Sequence, residues 1–421
     1  MDVKEEKVYA CIDFKSFYAS VECAERNLDP FTTNLVVADE TRGNGAVTLA
    51  ITPYMKKQGV KNRCRIFQIP EDIEYIKAMP RMKLYMKYSA EIYAIYLRYI
   101  APEDIYIYSI DECFIELTPY LKLYNMRAKD IVIMIKNAIF EEMKIPSSAG
   151  IGTNLFLAKV ALDVVAKKVK DEIGMLDLNR FKKYIWKHRP ITDIWNIGKG
   201  IAKRLEKYGV YDLYSLSLMD EEILYNEFGE NALFLIEHSH GIEPCTIAEI
   251  KAYKSKTKSI SNSQILFDDY NFEDSKMIML EMLDNLVLEL VAFNYTIDNI
   301  YLGVRYSGID KKRVSGSKKI GIRTNSFRKL SKIYTEFFNE KVDKSLKIKQ
   351  ITLSLNNVLE DAWIQKEIFD ETHLDEKNEK AQKAILEIKE KFGKNAILKG
   401  RSINEKSTAK AKNKLIGGHN G

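Results

Sequence analysis

Along this chain, short apolar runs rich in β-branched and aromatic residues alternate with segments of helical period. The run VYACI ends at Asp13, and FKSFYASVECAE continues at helical spacing, so the start reads as strand, turn, helix. Residues 35–70 hold NLVVADE, a loop TRGNG and a short helix ending at Gln58-Gly59, an insert too short for a domain of its own. A helix follows over 78–98, a strongly β-prone stretch IYIYSIDECFIEL over 105–117, and a second helix in KDIVIMIKNAIFEEM. SSAGIGT reads as a strand with loop glycines, and NLFLAKVALDVVAKK as a third helix. Strands alternating with helices predict an α/β layer with helices covering one face of a sheet. Around 191–240 the pattern is wholly helical. Between 251 and 364, alternating segments such as SISNSQILF, NIYLGVRYS and LKIKQITLSLNNV surround two amphipathic helices, a separate α+β unit reached through the Lys-rich KAYKSKTKS. Beyond Trp363, EKAQKAILEIKEKFG predicts one helix closed by Gly393, then a polar tail. No internal repeat is evident.

At 421 residues the chain suits about three units. With 46% apolar residues and no uncharged stretch of 18, neither a membrane span nor intrinsic disorder is expected. The N-terminus lacks the pattern of a secretory signal, which predicts a cytoplasmic protein. Five cysteines, widely spaced and without CxxC, fit reduced thiols rather than disulfides or a structural zinc site. The net charge of +6 hides an asymmetry: residues 251–350 carry 19 Lys+Arg against 12 Asp+Glu, and 391–421 carry 8 against 1. A basic C-terminal part beside an acidic N-terminal part suits a polyanion grip next to a site for divalent cations.

Three carboxylates carry the candidate chemistry. Asp13 ends an apolar strand, and Asp111-Glu112 interrupt another, positions costly for a charge unless it reaches a rim or a cation. Neighbours on a strand point to opposite faces, so a tight turn at 110–112 is required for both to serve one site. Taken singly each acid is also a plain turn or edge residue; together they favour a site holding divalent metals through oxygen ligands. Lys159, alone among apolar residues early in its helix, either snorkels to solvent or reaches a triphosphate over the sheet edge. In ITDIWNIGKGIAKRLEKYGV, Gly198 and Gly200 open a helix near Lys199, Lys203 and Arg204. This is either a helix corner or a hairpin whose exposed N–H groups hold a DNA phosphate. Phe17-Tyr18 is either core or, beside the metals, a surface for a nucleotide sugar.

DFKSFYASVE, GVKNRCRIF, YSIDECFIEL, AGIGTNLFLAKVA and ITDIWNIG, in this order, resemble the Y-family DNA polymerases, with the whole most similar to the UmuC-like branch. The resemblance runs from about residue 8 to the end. It implies an α/β and α+β multidomain fold: a palm sheet with helices (1–20 and 78–172), small fingers (21–77), a helical thumb with a helix-hairpin-helix (173–243), and an α+β little finger (244–364). A C-terminal extension (365–421) completes the chain.

The resemblance also implies roles. Asp13, Asp111 and Glu112, with the Phe14 carbonyl, would hold two Mg2+ ions, Mn2+ being the alternative. Tyr18 corresponds to the steric gate, Phe17 to its neighbour on the incoming nucleotide, and Lys159 to the triphosphate lysine. Ile197, Gly198, Gly200 and Lys203 would grip DNA. Where many members have Tyr and Arg spaced by three in the fingers helix, this chain reads TPYMKK; Tyr54 and Lys56 are the nearest candidates, with Pro53 where the tyrosine aligns. Expected partners are primer-template DNA, deoxynucleoside triphosphates, a sliding clamp through Gln365, Ile368 and Phe369, and a recombinase filament or UmuD-like subunit. QILF at 264–267 is a second clamp candidate. The implied activity is template-directed, low-fidelity DNA synthesis in damage tolerance, of the kind induced in an SOS response. The competing readings are a palm-type nucleotidyl transferase acting on free nucleotides and a non-catalytic DNA-binding scaffold.

Overall fold

β1 (Tyr9–Phe14) is the run predicted from VYACI, and it lies at the centre of a five-stranded sheet. The computed structural model describes residues 7–255, 258–308, 312–360 and 372–420, in two units, one running to Tyr253 and the other spanning Lys254–Gly418. In the first unit β1 leads into α1 (Phe17–Ala24) through Ser16, which takes a left-handed conformation. Next come β2 (Leu35–Val37), β3 (Ala50–Ile51), α2 (Pro53–Lys57) and β4 (Ile76–Ala78). These strands form a small sheet ordered β3-β2-β4 over a core of its own that includes Val36, Ile51, Met55 and Ile66.

α3 (Met82–Tyr96) leads to β5 (Ile105–Ile107) and β6 (Glu112–Glu116). After α4 (Thr118–Leu123) and α5 (Ala128–Met143) come β7 (Ser147–Gly152), α6 (Leu155–Val160) and β8 (Ile173–Leu176). The main sheet has the order β5-β6-β1-β7-β8, antiparallel except for β7 and β8. β8, which lies beyond the boundary expected at 172/173, is thus part of this sheet. Both sheet faces are buried, not one. Tyr9 and Cys11 join Phe114, Leu155, Ala158 and Leu162 on the α6 side, while Ala10, Ile12 and Ala149 on the opposite face are equally inaccessible. The unbroken apolar runs in β1 and β6 already carry this signature.

The glycines of β7 are not loop residues. A Cβ on Gly150 would lie 2.1 Å from the Ala158 carbonyl oxygen, and one on Gly152 2.3 Å from the Ala158 nitrogen, so their bareness lets α6 lie directly on the strand. The predicted third helix is also not continuous: α6 passes into a π-helical turn at Ala161–Val165 and a 3-10 turn at Ala166–Lys168. Gly150→Ala should force α6 off β7 and cost about 1–3 kcal/mol. Thermal unfolding checks this; a melting temperature within about 1 °C of wild type would contradict the close-approach account.

The rest of the first unit is helical: α7 (Leu178–Tyr184), α8 (Lys199–Glu206), α9 (Leu213–Ser217), α10 (Glu221–Phe228), α11 (Ala232–Ser239) and α12 (Ile247–Ala252). The second unit contains β9 (Ser259–Tyr270), α13 (Phe272–Ala292), β10 (Tyr295–Tyr306), β11 (Arg313–Thr324), α14 (Phe327–Lys341) and β12 (Ile348–Asn356). Its antiparallel sheet runs β11-β10-β12-β9, and Ile300, Leu302 and Val304 of β10 share a core with Leu283, Leu286 and Phe338 of the two helices. This unit begins near Lys254 rather than 244, because α12 packs with β5 and β6. The polar tail is not free either. α15 (Thr372–Phe392) lies along α13, and the residues after it fold back onto α13: Ser407 donates to buried Glu281 at 2.5 Å, and Lys399 and Arg401 pair with Asp284. A Lys-rich composition concealed these partners because the acids that satisfy it lie more than a hundred residues away.

Candidate active site

The antiparallel register places Asp13 directly opposite Glu112. Both side chains share the sheet face of Cys11 and Phe114, which sit opposite each other two residues along the ladder. Asp111 precedes the strand. The chain turns over residues 108–111, with the Tyr108 and Ser109 N–H groups both donating to the Glu112 carbonyl at 2.9 and 3.0 Å. The expected turn therefore lies slightly earlier, and Asp111 and Glu112 escape strand alternation because only Glu112 is in the strand. The Phe14 N–H donates to the Asp111 carbonyl at 3.0 Å, tying the end of β1 to the turn.

The electrostatics record this crowding. Burial, followed by the charges of Asp111 and Glu112, pushes the Asp13 carboxyl up to about 7. Each neighbour has found a local partner. Glu112 Oε1 accepts from Lys159 Nζ at 2.7 Å and from Cys11 Sγ at 3.1 Å, and Asp111 Oδ1 accepts from Ser109 Oγ at 2.7 Å. Among the described residues no three His, Cys, Asp or Glu side chains stand close enough together to hold a metal ion. The backbone thus gathers the three acids at one edge, with Asp111 and Glu112 each turned to a donor of its own. Three hard oxygen donors, one of them half-buried and raised by its acidic neighbours, fit Mg2+ or Mn2+.

Lys159 is 8% exposed and committed to Glu112 and, at 3.0 Å, to Asp163. Burial opposes its charge, but Asp163 and Glu112 outweigh that and hold the ammonium above its ordinary range. In this state it is not the free phosphate ligand expected of it. Lys56 is exposed on α2 and shares the field around Asp13: burial lowers its pKa, the Asp13 charge raises it, and Lys15 and Lys167 lower it further. Lys15 is paired with Glu172, whereas Lys167 is exposed. Neither Lys15 nor Lys167 was singled out from sequence; Lys167 was hidden because it lies beyond the π-helical turn. Tyr54 is half-buried in α2.

Tyr18 is half-buried at the start of α1, and burial together with the Asp111 charge raises its phenol, setting it beside the acidic edge. Phe17 does not lie open to a nucleotide. It is 2% exposed and packs against Phe14 and Tyr18, because α1 turns that position inward. In the helical part, Gly198 caps α8 without a side-chain bond, and a Cβ on Gly198 or Gly200 would meet nothing within 4 Å, so that helix start is open. Lys203 is exposed. Ile197 is 2% exposed in the helical core, so its side chain is not presented to DNA, and Arg204 is paired with Glu227 at 2.9 Å. Gln264 is locked in β9, donating to Thr408 at 2.9 Å, which removes QILF as an extended clamp peptide. Gln365, Ile368 and Phe369 lie outside the described residues.

The sequence model of the impB/mucB/samB family matches residues 12–163, the stretch that holds Asp13, Asp111, Glu112 and Lys159. The chain is 31% identical over 420 residues to a putative UV-damage repair protein, UvrX, of Bacillus subtilis, covering 97% of this chain and 96% of that one. This chain belongs to the Y family of DNA polymerases. It is also similar to DNA polymerase IV 2 of B. subtilis, 28% identical over 99% of both chains, and to DNA polymerase IV of Clostridium acetobutylicum, 26% identical over 93% of this chain and 97% of that one. A Y-family Dbh–Dpo4 chimera shares the fold with a TM-score of 0.64 at 22% identity, covering 84% of this polymerase and 100% of the chimera. No described helix is long and apolar enough to cross a membrane.

Proposed function

We propose that this chain is a template-directed DNA polymerase that extends primers with low fidelity across damaged templates. The observation that carries this reading is the register pairing Asp13 with Glu112, with Asp111 on the adjoining turn. In this reading the five-stranded sheet is the palm, residues 21–77 are the fingers, the helices from α7 to α12 the thumb, and the second unit the little finger. Asp13, Asp111 and Glu112, with the Phe14 carbonyl, would hold two Mg2+ ions, or Mn2+. When bound, such ions supply a lowered pKa for the primer 3′-hydroxyl and neutralise the triphosphate.

The remaining work belongs to the protein's own groups. Lys56 and Lys167 give the triphosphate a positive approach, and Lys159, released as Glu112 turns toward the ions, reaches the triphosphate. Tyr18 excludes a 2′-hydroxyl. The open start of α8, with Gly198, Gly200 and Lys203, grips a DNA phosphate without reading bases. On the little-finger sheet, the face away from α13 and α14 presents Arg313, Lys319 and the Ser315 and Ser317 hydroxyls from β11, a surface for backbone contacts in which affinity falls with salt. The clamp contact is assigned to Gln365, Ile368 and Phe369, and the setting to the cytoplasm. Extension of a primer on intact and lesion-bearing templates, with the Asp111→Ala variant beside wild type, tests the proposal.

A further inference from the structure

Tyr18 does not hold its ring alone. It lies nearly parallel to the ring of Tyr85 on α3, with centroids 4.5 Å apart and planes at 17°, whereas its contact with Phe17 is longer and tilted, at 6.0 Å and 51°. Tyr85 is fully buried, and its hydroxyl donates to Glu22 Oε1 at 2.8 Å. Glu22 is also fully buried, one turn after Tyr18 on α1. Arg81 clamps it with two bonds of 2.9 and 2.7 Å, and Arg26 adds another. The carboxylate therefore fixes α1 against α3 in one register, and Tyr85 is the flat wall on which Tyr18 rests.

A side chain that rejects a substrate because of one extra hydroxyl must not swing away from it; a small displacement relieves the clash and the selectivity is lost. A phenol has two rotatable bonds, and stacking on a fixed ring restrains both. We propose that Tyr85 is a positioning residue for sugar selection, its buried ring holding the Tyr18 ring where it meets the 2′ position of the incoming nucleotide. The inference rests on Tyr18 being the sugar-facing residue.

Single-nucleotide insertion kinetics with the deoxy and ribo forms of one nucleotide test it, using wild type, Tyr18→Ala, Tyr85→Phe, Tyr85→Leu and Tyr85→Met. The readout is the ratio of kcat/KM for the two sugars, which does not depend on the folded fraction because both substrates meet the same enzyme population. Loss of the aromatic wall in Tyr85→Leu and Tyr85→Met should lower the deoxy-to-ribo ratio about tenfold, mainly through gained ribonucleotide insertion, while Tyr85→Phe stays within about threefold of wild type. A wild-type ratio in the Leu and Met variants, with Tyr18→Ala having lost selectivity, overturns the role of Tyr85 and leaves that of Tyr18 standing. A wild-type ratio in Tyr18→Ala overturns the assignment of Tyr18 itself, and the positioning role with it.

Discussion

Asp111→Ala abolishes primer extension, with a loss of about 10^3-fold or more expected when a preorganised charged group of this kind is removed. The reason lies in how the turn is built. Asp111 is the one acid of the three held outside a strand, its backbone carbonyl tied to the Phe14 N–H and its side chain accepting from the neighbouring Ser109 hydroxyl. It can swing toward a cation without breaking the sheet. The fold should not suffer, since neither the β1–β6 ladder nor the buried faces use this side chain, so wild-type thermal unfolding should accompany the loss. Single-turnover extension on a primed template, with a melting curve on the same preparation, gives the check. An Asp111→Ala protein that extends at the wild-type rate would remove the carboxylate edge from the chemistry.

Arg81→Ala is expected to cost about 2–3 kcal/mol of stability, less than the fullest cost of breaking a buried ion pair because Arg81 itself is partly solvated. What it leaves behind is the larger problem: among the described residues Glu22, with no exposed side-chain surface, is left with Arg26 and the Tyr85 hydroxyl. In the wild type, burial pushes the Glu22 carboxyl up, but the hydrogen bonds from Arg81, Arg26 and Tyr85 outweigh it and hold the group below its ordinary 4.5. A depressed carboxyl stabilises the fold above its unfolded pKa, and that contribution is lost as pH falls through the folded value. Arg81→Ala removes the main restraint. Its destabilisation should be full at neutral pH and shrink in acid, where Glu22 is protonated in both proteins. Denaturant unfolding across that range measures it, and a destabilisation that does not vary with pH would contradict the Glu22 account.

The acidic edge was legible in the sequence because strands are short and local: a carboxylate at the end of VYACI and another pair inside IYIYSIDECFIEL can only lie at a sheet rim. What Lys159 touches was not legible. Its partner Glu112 is brought to it by the close approach of α6 to β7, which depends on Gly150 and Gly152 serving as strand residues rather than as the loop glycines they resemble in sequence. The same limit hid the folded-back C-terminal segment, whose lysines read as solvated until Glu281 and Asp284 are placed beside them. Glu22 did leave a trace, as the one charge in an otherwise apolar helix segment, but its meaning depends on Arg81 and Tyr85 from a helix some sixty residues on.

Crystals of the polymerase with primer-template, a deoxynucleoside triphosphate and Mn2+ provide the most direct measurement, because manganese can be located by its anomalous scattering. The account predicts anomalous density between the side chains of Asp13, Asp111 and Glu112, with Glu112 turned from Lys159 toward it. A ternary complex whose manganese lies elsewhere, with Glu112 still on Lys159, would contradict it.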